Sequence, residues 1–305
     1  MDDARSGNVF YETRKDKLFN KVNNLLLLLI TACVLYPIIF IMSASVSDPI
    51  RVSLGEVWLW PKGLTFEGYQ RIFEFNPLWV GYRNTIFYTV IGTVINLFIT
   101  LTCAYSLSRK DLVGRNFITL LLVFTMFFHG GLIPTFLVVK KLGLVNTYWA
   151  LLLPSAAFTW NIIITRTFFQ TSIPIELQES AHMDGCSNTR LFLSIVLPLS
   201  KPIIAVMALF YGVSHWNSFF DALIYLSDRD LYPLQLILRE ILVLNQVNDM
   251  LNMTTDQMES QMKQMYMAEI MKYGLVIVSS LPLLIVYPFL QKYFMKGFLV
   301  GAIKG

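Results

Sequence analysis

Groups able to do covalent or metal chemistry are scattered in this chain. The three histidines, His129, His182 and His215, lack metal-ligand spacing. The three cysteines, Cys33, Cys103 and Cys186, form no CxxC pair and read as buried structural thiols. No G-x-x-x-x-G-K-S/T loop is present to cradle a nucleotide phosphate. No nucleophile–base pair supports a membrane enzyme. Two kinds of polar grouping remain. One is the charged segment QESAHMDGCSNTRLFLSIVLPLSKP, residues 178–202. The other is a set of polar interruptions in apolar runs: Thr159, Trp160 and Asn161, then His215, Trp216, Asn217 and Asp221. Polar side chains at membrane depth do not face lipid, so these residues point to binding or to contacts between helices.

The elements that must position them follow from composition. The chain has 305 residues, 55% of them hydrophobic and only 14% charged. Soluble domains are roughly 45–50% apolar and about 25% charged, which makes this an all-α polytopic membrane protein. The net charge of +4 comes with no basic stripe and gives no reason to expect a nucleic-acid partner. A bilayer crossing takes about 20 apolar residues. Six runs qualify: 24–45, 84–107, 117–139, 147–168, 201–226 and 269–291. Pro37, Gly130, Gly131, Pro134, Pro154 and Pro282 lie within them, as spanning helices allow. The run from Leu25 to Met42 is longer than the roughly 7–15 apolar residues of a signal peptide and reads as an uncleaved first span.

Lysine and arginine set the orientation. With six spans both termini share a side. Arg5, Arg14, Lys15, Lys17 and Lys21 lie there, as do Arg109, Lys110, Arg115, Arg166, Arg190, Lys201, Lys292, Lys296 and Lys304. That side reads as cytoplasmic, and segments 46–83 and 227–268 face outward.

The charged segment carries helix signals. Thr171 or Ser172 can cap a helix, Pro174 suits its first turn, and Glu176 and Glu179 favour its positive N-terminal end. Asp184-Gly185 can end it, and Asn188 or Thr189 can cap a second helix with Leu191, Phe192, Ile195 and Val196 at helical spacing. Pro198 and Pro202 then bend the chain into the fifth span. A helix–turn–helix knob with a partly apolar surface either docks on another protein or rests on lipid headgroups.

The spacing Glu179-Ser180-Ala181, three residues, Gly185, nine residues, Ile195-x-Leu197-Pro198 resembles the EAA loop of bacterial ABC importer permeases. Ser180 stands where the family has its middle alanine, and Cys186 where alanine is common; both are small. Asp184 and the ending Leu-Pro-Leu-Ser-Lys-Pro are similar to the carbohydrate branch, with the maltose permease's G-type subunit as its best-known member. The resemblance extends to six spans and to the tail KGFLVGAIKG, residues 296–305. FFHGGLIP, residues 127–134, and KKLGL, residues 140–144, are similar to permeases for larger oligosaccharides.

The resemblance implies a type I importer permease with a cytoplasmic segment 1–23, a permease domain 24–295 holding a coupling loop at 170–200, and a cytoplasmic tail 296–305. It implies a helix over 174–183 seated on a separate ATPase, with Glu179 meeting a basic residue and Leu177, Ala181 and Met183 stiffening the joint. Ser180, His182, Asp184, Gly185, Leu197 and Pro198 complete the coupling set, and Gly301, Lys304 and Gly305 reach between the ATPases. ATP and Mg belong to that partner; no cofactor sits on this chain. A second homologous permease, two ATPase subunits, an extracytoplasmic sugar-binding protein and an oligosaccharide are the implied partners, in the bacterial cell membrane. Segment 227–268, with Met250, Met253, Met258, Met262, Met265 and Met267, either contacts the binding protein or covers the bundle.

Sugars are held by aromatic faces and hydrogen-bonding groups. His215, Trp216, Asn217, Phe219, Phe220 and Asp221, with Trp160, Asn161 and His129, are the candidates for the substrate path. The alternative for each is an interhelical contact. The rival transport reading is an ion-coupled secondary transporter, against which no internal repeat is evident and Asp221 is the one carboxylate well inside an apolar run.

Overall fold

A computed structural model describes residues 13–243 and 268–288. Its regular elements are helices, and no strand occurs among the described residues. Three helices are long and apolar enough to cross a membrane alone: Arg14–Ser45, Asn76–Ser108 and Ala268–Pro288. Two bent pairs qualify as joint spans. Arg115–Phe127 meets Leu132–Lys141 at 114°, and Asn188–Leu199 meets Lys201–Trp216 at 81°.

These boundaries correct the expected spans. The first helix starts at Arg14, where Thr13 and Asp16 form a reciprocal capping box (Asp16 N to Thr13 Oγ1 3.2 Å, Thr13 N to Asp16 Oδ2 2.9 Å). Polar residues thus extend the helix beyond its apolar run. The third run is not one rod. It breaks at Gly130-Gly131, where Gly131 takes a positive φ of 82° that favours glycine. The fourth run is split into Trp149–Leu152 and Thr159–Ser172, with Pro154 in the connection. The fifth helix ends at Trp216, and Phe220–Tyr225 forms a separate short helix. Cys33 lies exposed on the first helix rather than buried, while Cys103 and Cys186 are half-buried.

The helix Asn76–Ser108 is the hub. Asn84, Tyr88, Gly92, Asn96, Thr100 and Ala104 recur every four residues along it, and all are buried. Each four-residue step advances about 40° around an α-helix, so this stripe winds past several neighbours in turn. Lipid supplies no hydrophobic drive for helices to associate, so small residues and hydrogen bonds do that work. Asn84 Nδ2 donates to Asp230 O (2.7 Å) and Tyr232 O (3.0 Å), and Tyr88 Oη donates to Leu231 O (2.9 Å). Thr85 Oγ1 accepts from Leu234 N at 2.8 Å. Further along, Thr100 Oγ1 lies 2.6 Å from Tyr211 Oη. Three apolar clusters line the same helix. Leu101, Ala104 and Tyr105 pack with Ile162, Phe169, Leu191 and Met207 at its C-terminal end. Tyr88 packs with Leu151, Leu152, Tyr225 and Leu236 midway, and Leu78 with Trp216, Leu234, Met271 and Leu275 at the start. By contrast the apolar stretch of Arg14–Ser45 is wholly unburied within this chain.

Candidate functional site

The charged segment folds as a compact hairpin. Its first helix, Ile175–Met183, is preceded by Pro174 as N-cap, with Glu176 in the first turn. Thr171 and Ser172 do not cap it; they belong to the preceding helix, where Thr171 Oγ1 donates to Thr167 O at 3.0 Å. The helix closes in a Schellman arrangement: Gly185 N reaches His182 O (3.0 Å) and Cys186 N reaches Ala181 O (2.9 Å). Gly185 has a φ of +71° and open space around its α-carbon, so backbone conformation alone calls for glycine there. Ser187, not Asn188 or Thr189, caps the second helix by accepting from Arg190 N at 3.3 Å. The chain continues through a wide π-type turn, Phe192–Val196, and Leu197–Leu199 before bending at Ser200.

One side of the hairpin is anchored and the other is free. Ala181, Leu191 and Val196 are buried in the cluster at the end of the hub helix. Ala181 therefore holds the hairpin to its own chain, which corrects its expected place on the docking face. Met183 is 88% exposed and Leu177 40%, and Glu179, Ser180, Asp184 and Pro198 are exposed as well. Leu197 is half-buried.

Arg109, just past the hub helix, is the clamp. Its Nη1 donates to Gln178 Oε1 (3.2 Å), and its Nη2 lies 2.9 Å from His182 Nε2. Its Nε and Nη2 each donate to the Asp111 carboxylate at 2.9 Å. A guanidinium can only donate, so His182 Nε2 is the acceptor in that contact. His182 is thereby engaged within the chain, although its ring is exposed. The hydrogen bonds from Arg109 hold the Asp111 carboxyl below its ordinary range. Beside the clamp, a cleft of about 740 Å³ is lined by Arg109, Lys110, Arg115, Glu176, Glu179 and His182. The sequence marked Arg109 only as an orientation charge, because nothing local shows it as the partner of Gln178 and His182, 69 and 73 positions away.

The second grouping is a cavity of about 410 Å³ between the hub, the 159–172 helix and the 201–216 helix. It gathers His215, Asn161, Trp160 and Asp221 from the expected set, and adds Asn96, Ser155, Phe158, Phe210, Tyr211, Ser214 and Ser218. Asn96 fixes its geometry. Its Nδ2 donates to Ser155 O (2.6 Å) and Ala156 O (2.9 Å), which turns its Oδ1 toward His215 Nε2 at 2.7 Å. An amide oxygen only accepts, so Nε2 carries the proton. Gly92 makes room: a methyl group there would come within 2.5–2.8 Å of three His215 ring atoms.

Other expected members lie elsewhere. Trp216 is buried with Leu78 and Leu275; its Nε1 donates to Ser279 O at 3.2 Å, and its ring meets Tyr82 edge-on at 6.3 Å. It is a packing residue between spans and does not line the cavity. Asn217 turns its Nδ2 back to Val213 O (2.9 Å) as a helix cap, and Phe219 and Phe220 stack edge-to-face outside the cavity. His129 sits in the break of the third run, away from these groups. Gly301, Lys304 and Gly305 of the tail, and the methionines between 250 and 267, lie outside the described residues.

Helices long and apolar enough to cross a bilayer, a cavity between them that carries polar side chains, and an anchored surface hairpin define a polytopic permease subunit. Residues 77–300 match the family model for the binding-protein-dependent transport system inner membrane component, and the chain belongs to that family. It is 41% identical over 295 residues to Protein LplC of Bacillus subtilis (strain 168), covering 97% of this chain and 98% of that protein. It is also 41% identical over 292 residues to the polygalacturonan/rhamnogalacturonan transport system permease protein YtcP of the same organism, covering 95% and 100%. A solved bacterial ABC transporter involved in the import of the acidic polysaccharide alginate superposes with a TM-score of 0.84 at 35% identity, covering 93% of this chain and 99% of that one. The expected type I ABC importer permease fold therefore holds.

Proposed function

We propose that this chain is one of two permease halves of an ATP-driven oligosaccharide importer, and that the 174–200 hairpin couples it to a separate ATPase. The observation that carries this is the hairpin's two-sidedness. One side is locked to the transmembrane hub through Ala181, Leu191, Val196 and the Arg109 clamp, and the other presents Glu179 and Met183. Such a piece transmits force only if a partner grips the free side. ATP closes the paired ATPases, the gripped hairpin moves with them, and the clamp passes that motion to the hub and so to Asn96 and the cavity. Contacts must differ between the two states for binding energy to shift them.

In this reading the termini, the 108–116 loop and the hairpin are cytoplasmic, residues 24–295 form the permease domain, and the tail around Gly301, Lys304 and Gly305 reaches the ATPases. ATP and Mg are held by that partner, and an extracytoplasmic binding protein delivers the sugar. The names of the relatives support a glycan cargo: YtcP is a polygalacturonan/rhamnogalacturonan permease, and a 30% identical relative from Halalkalibacterium halodurans is an arabinooligosaccharides permease.

The test is co-purification. The tagged chain, expressed with its partners, is expected to bring down an ATPase. Glu179→Lys combined with Gly185→Pro is expected to abolish that association while the chain still inserts. Isolation of an active transporter with no ATPase overturns the proposal and favours ion coupling.

A further inference from the structure

The cavity beside His215 has a chemical bias opposite to the acidic cargo named for YtcP and for the alginate importer. Eleven residues line it, and Asp221 is the only Asp, Glu, Lys or Arg among them. The Asp221 carboxylate is in none of the ion pairs found among the described residues. The rest of the wall is neutral: the amide of Asn161, the Tyr211 phenol already paired with Thr100, and the hydroxyls of Ser214 and Ser218, together with the Trp160 and Phe210 rings. His215 adds no fixed cationic donor for an anion, because its Nε2 proton is already committed to Asn96. In the neutral ring Nδ1 is left as an acceptor.

Resting on the oligosaccharide-import reading, we propose that this cavity holds a neutral, hydroxyl-rich sugar unit and disfavours a uronate. The hydroxyls of a neutral pyranose are donors as well as acceptors, and Asp221 can accept two of them. Its C–H faces pack on Trp160. On this wall a uronate carboxylate finds no lysine or arginine, the side chains that pair best with a carboxylate. It meets instead the like charge of Asp221, which lies exposed on that wall. Cargo acidity is thus read at this wall as an exclusion.

The experiment uses the assembled complex of this chain with its partner permease and ATPases, purified in detergent. Raffinose, a neutral glycan, and trigalacturonate, an acidic one, are the probes, measured by equilibrium dialysis at physiological salt. Raffinose is expected to bind, with trigalacturonate at least about tenfold weaker. Asp221→Asn keeps the shape and is expected to narrow that gap about tenfold, whereas Asp221→Glu keeps the charge and the gap. Trigalacturonate binding as tightly as raffinose, or an unchanged gap in Asp221→Asn, overturns the proposal. So does failure of raffinose to bind a complex that still imports glycan in vesicles. A complex that imports no glycan at all is a failure of the import reading itself.

Discussion

The hairpin and the cavity solve opposite problems. The hairpin is one contiguous stretch whose turn, caps and helix end are closed by bonds between near neighbours, such as Cys186 N to Ala181 O at 2.9 Å. The cavity is drawn from segments far apart in sequence, and its central bonds join Asn96 to Ser155, Ala156 and His215. A local structure can be cut and repaired at single positions. A converged one depends on how helices pack, so a small change far from the ligand is felt throughout.

The largest effect is expected where that packing is tightest. Gly92→Ala puts a methyl group against the His215 ring and is expected to destabilise the complex by about 1–3 kcal/mol and to impair uptake, with ATPase association retained. Thermal unfolding and vesicle uptake measure the two. Retained uptake with unchanged stability would show that the cavity yields more easily than the comparison holds. Next is Asn96→Ala. It leaves the His215 Nε2 proton and the Ser155 and Ala156 carbonyls short of a buried partner, a loss of about 1–3 kcal/mol, in the lower part of that range where water enters the cavity.

Arg109→Lys tests the link between the two regions. Lysine keeps the charge but not the fork that grips Gln178, His182 and Asp111 together. The expected result is normal assembly with several-fold less glycan moved per ATP hydrolysed, read by measuring both rates on one preparation. An unchanged ratio would reduce the clamp to a structural brace. The smallest effect belongs to Asp111→Asn, since that carboxylate is 62% exposed. A few tenths of a kcal/mol is expected. Because its native pKa is lowered, the contribution is present above the ordinary carboxylate range and is lost as pH falls through the lowered value. The difference between variant and parent is therefore expected to be constant from about pH 6 to 8 and to shrink below about pH 4.

The hairpin was legible because its signals are local. Pro174, the Asp184-Gly185 stop and the turn into Pro198 each act within a few residues, although Ser187 rather than its neighbours proved to be the cap. The cavity was half legible. His215, Asn161, Trp160 and Asp221 were marked as polar groups in apolar runs, and they converge. Trp216 carried the same mark and points to the other side, toward Ser279. Asn96 and Gly92 went unread, though the four-residue recurrence from Asn84 to Ala104 was available as a signal of helix contact.

By itself the sequence determined that the chain lives in a membrane, where it leaves the bilayer as a hairpin, and how that hairpin closes, since composition, turn chemistry and capping act over short distances. The tertiary structure decided which polar residues share a wall, which way Ala181 faces, that Arg109 joins the two regions, that the third expected span is sharply bent, and that the fourth and fifth are interrupted. The reason is physical. A helix that is apolar on most sides carries at best a faint periodic mark, as on the hub, and which neighbour each side chain meets is set only when the other helices close around it.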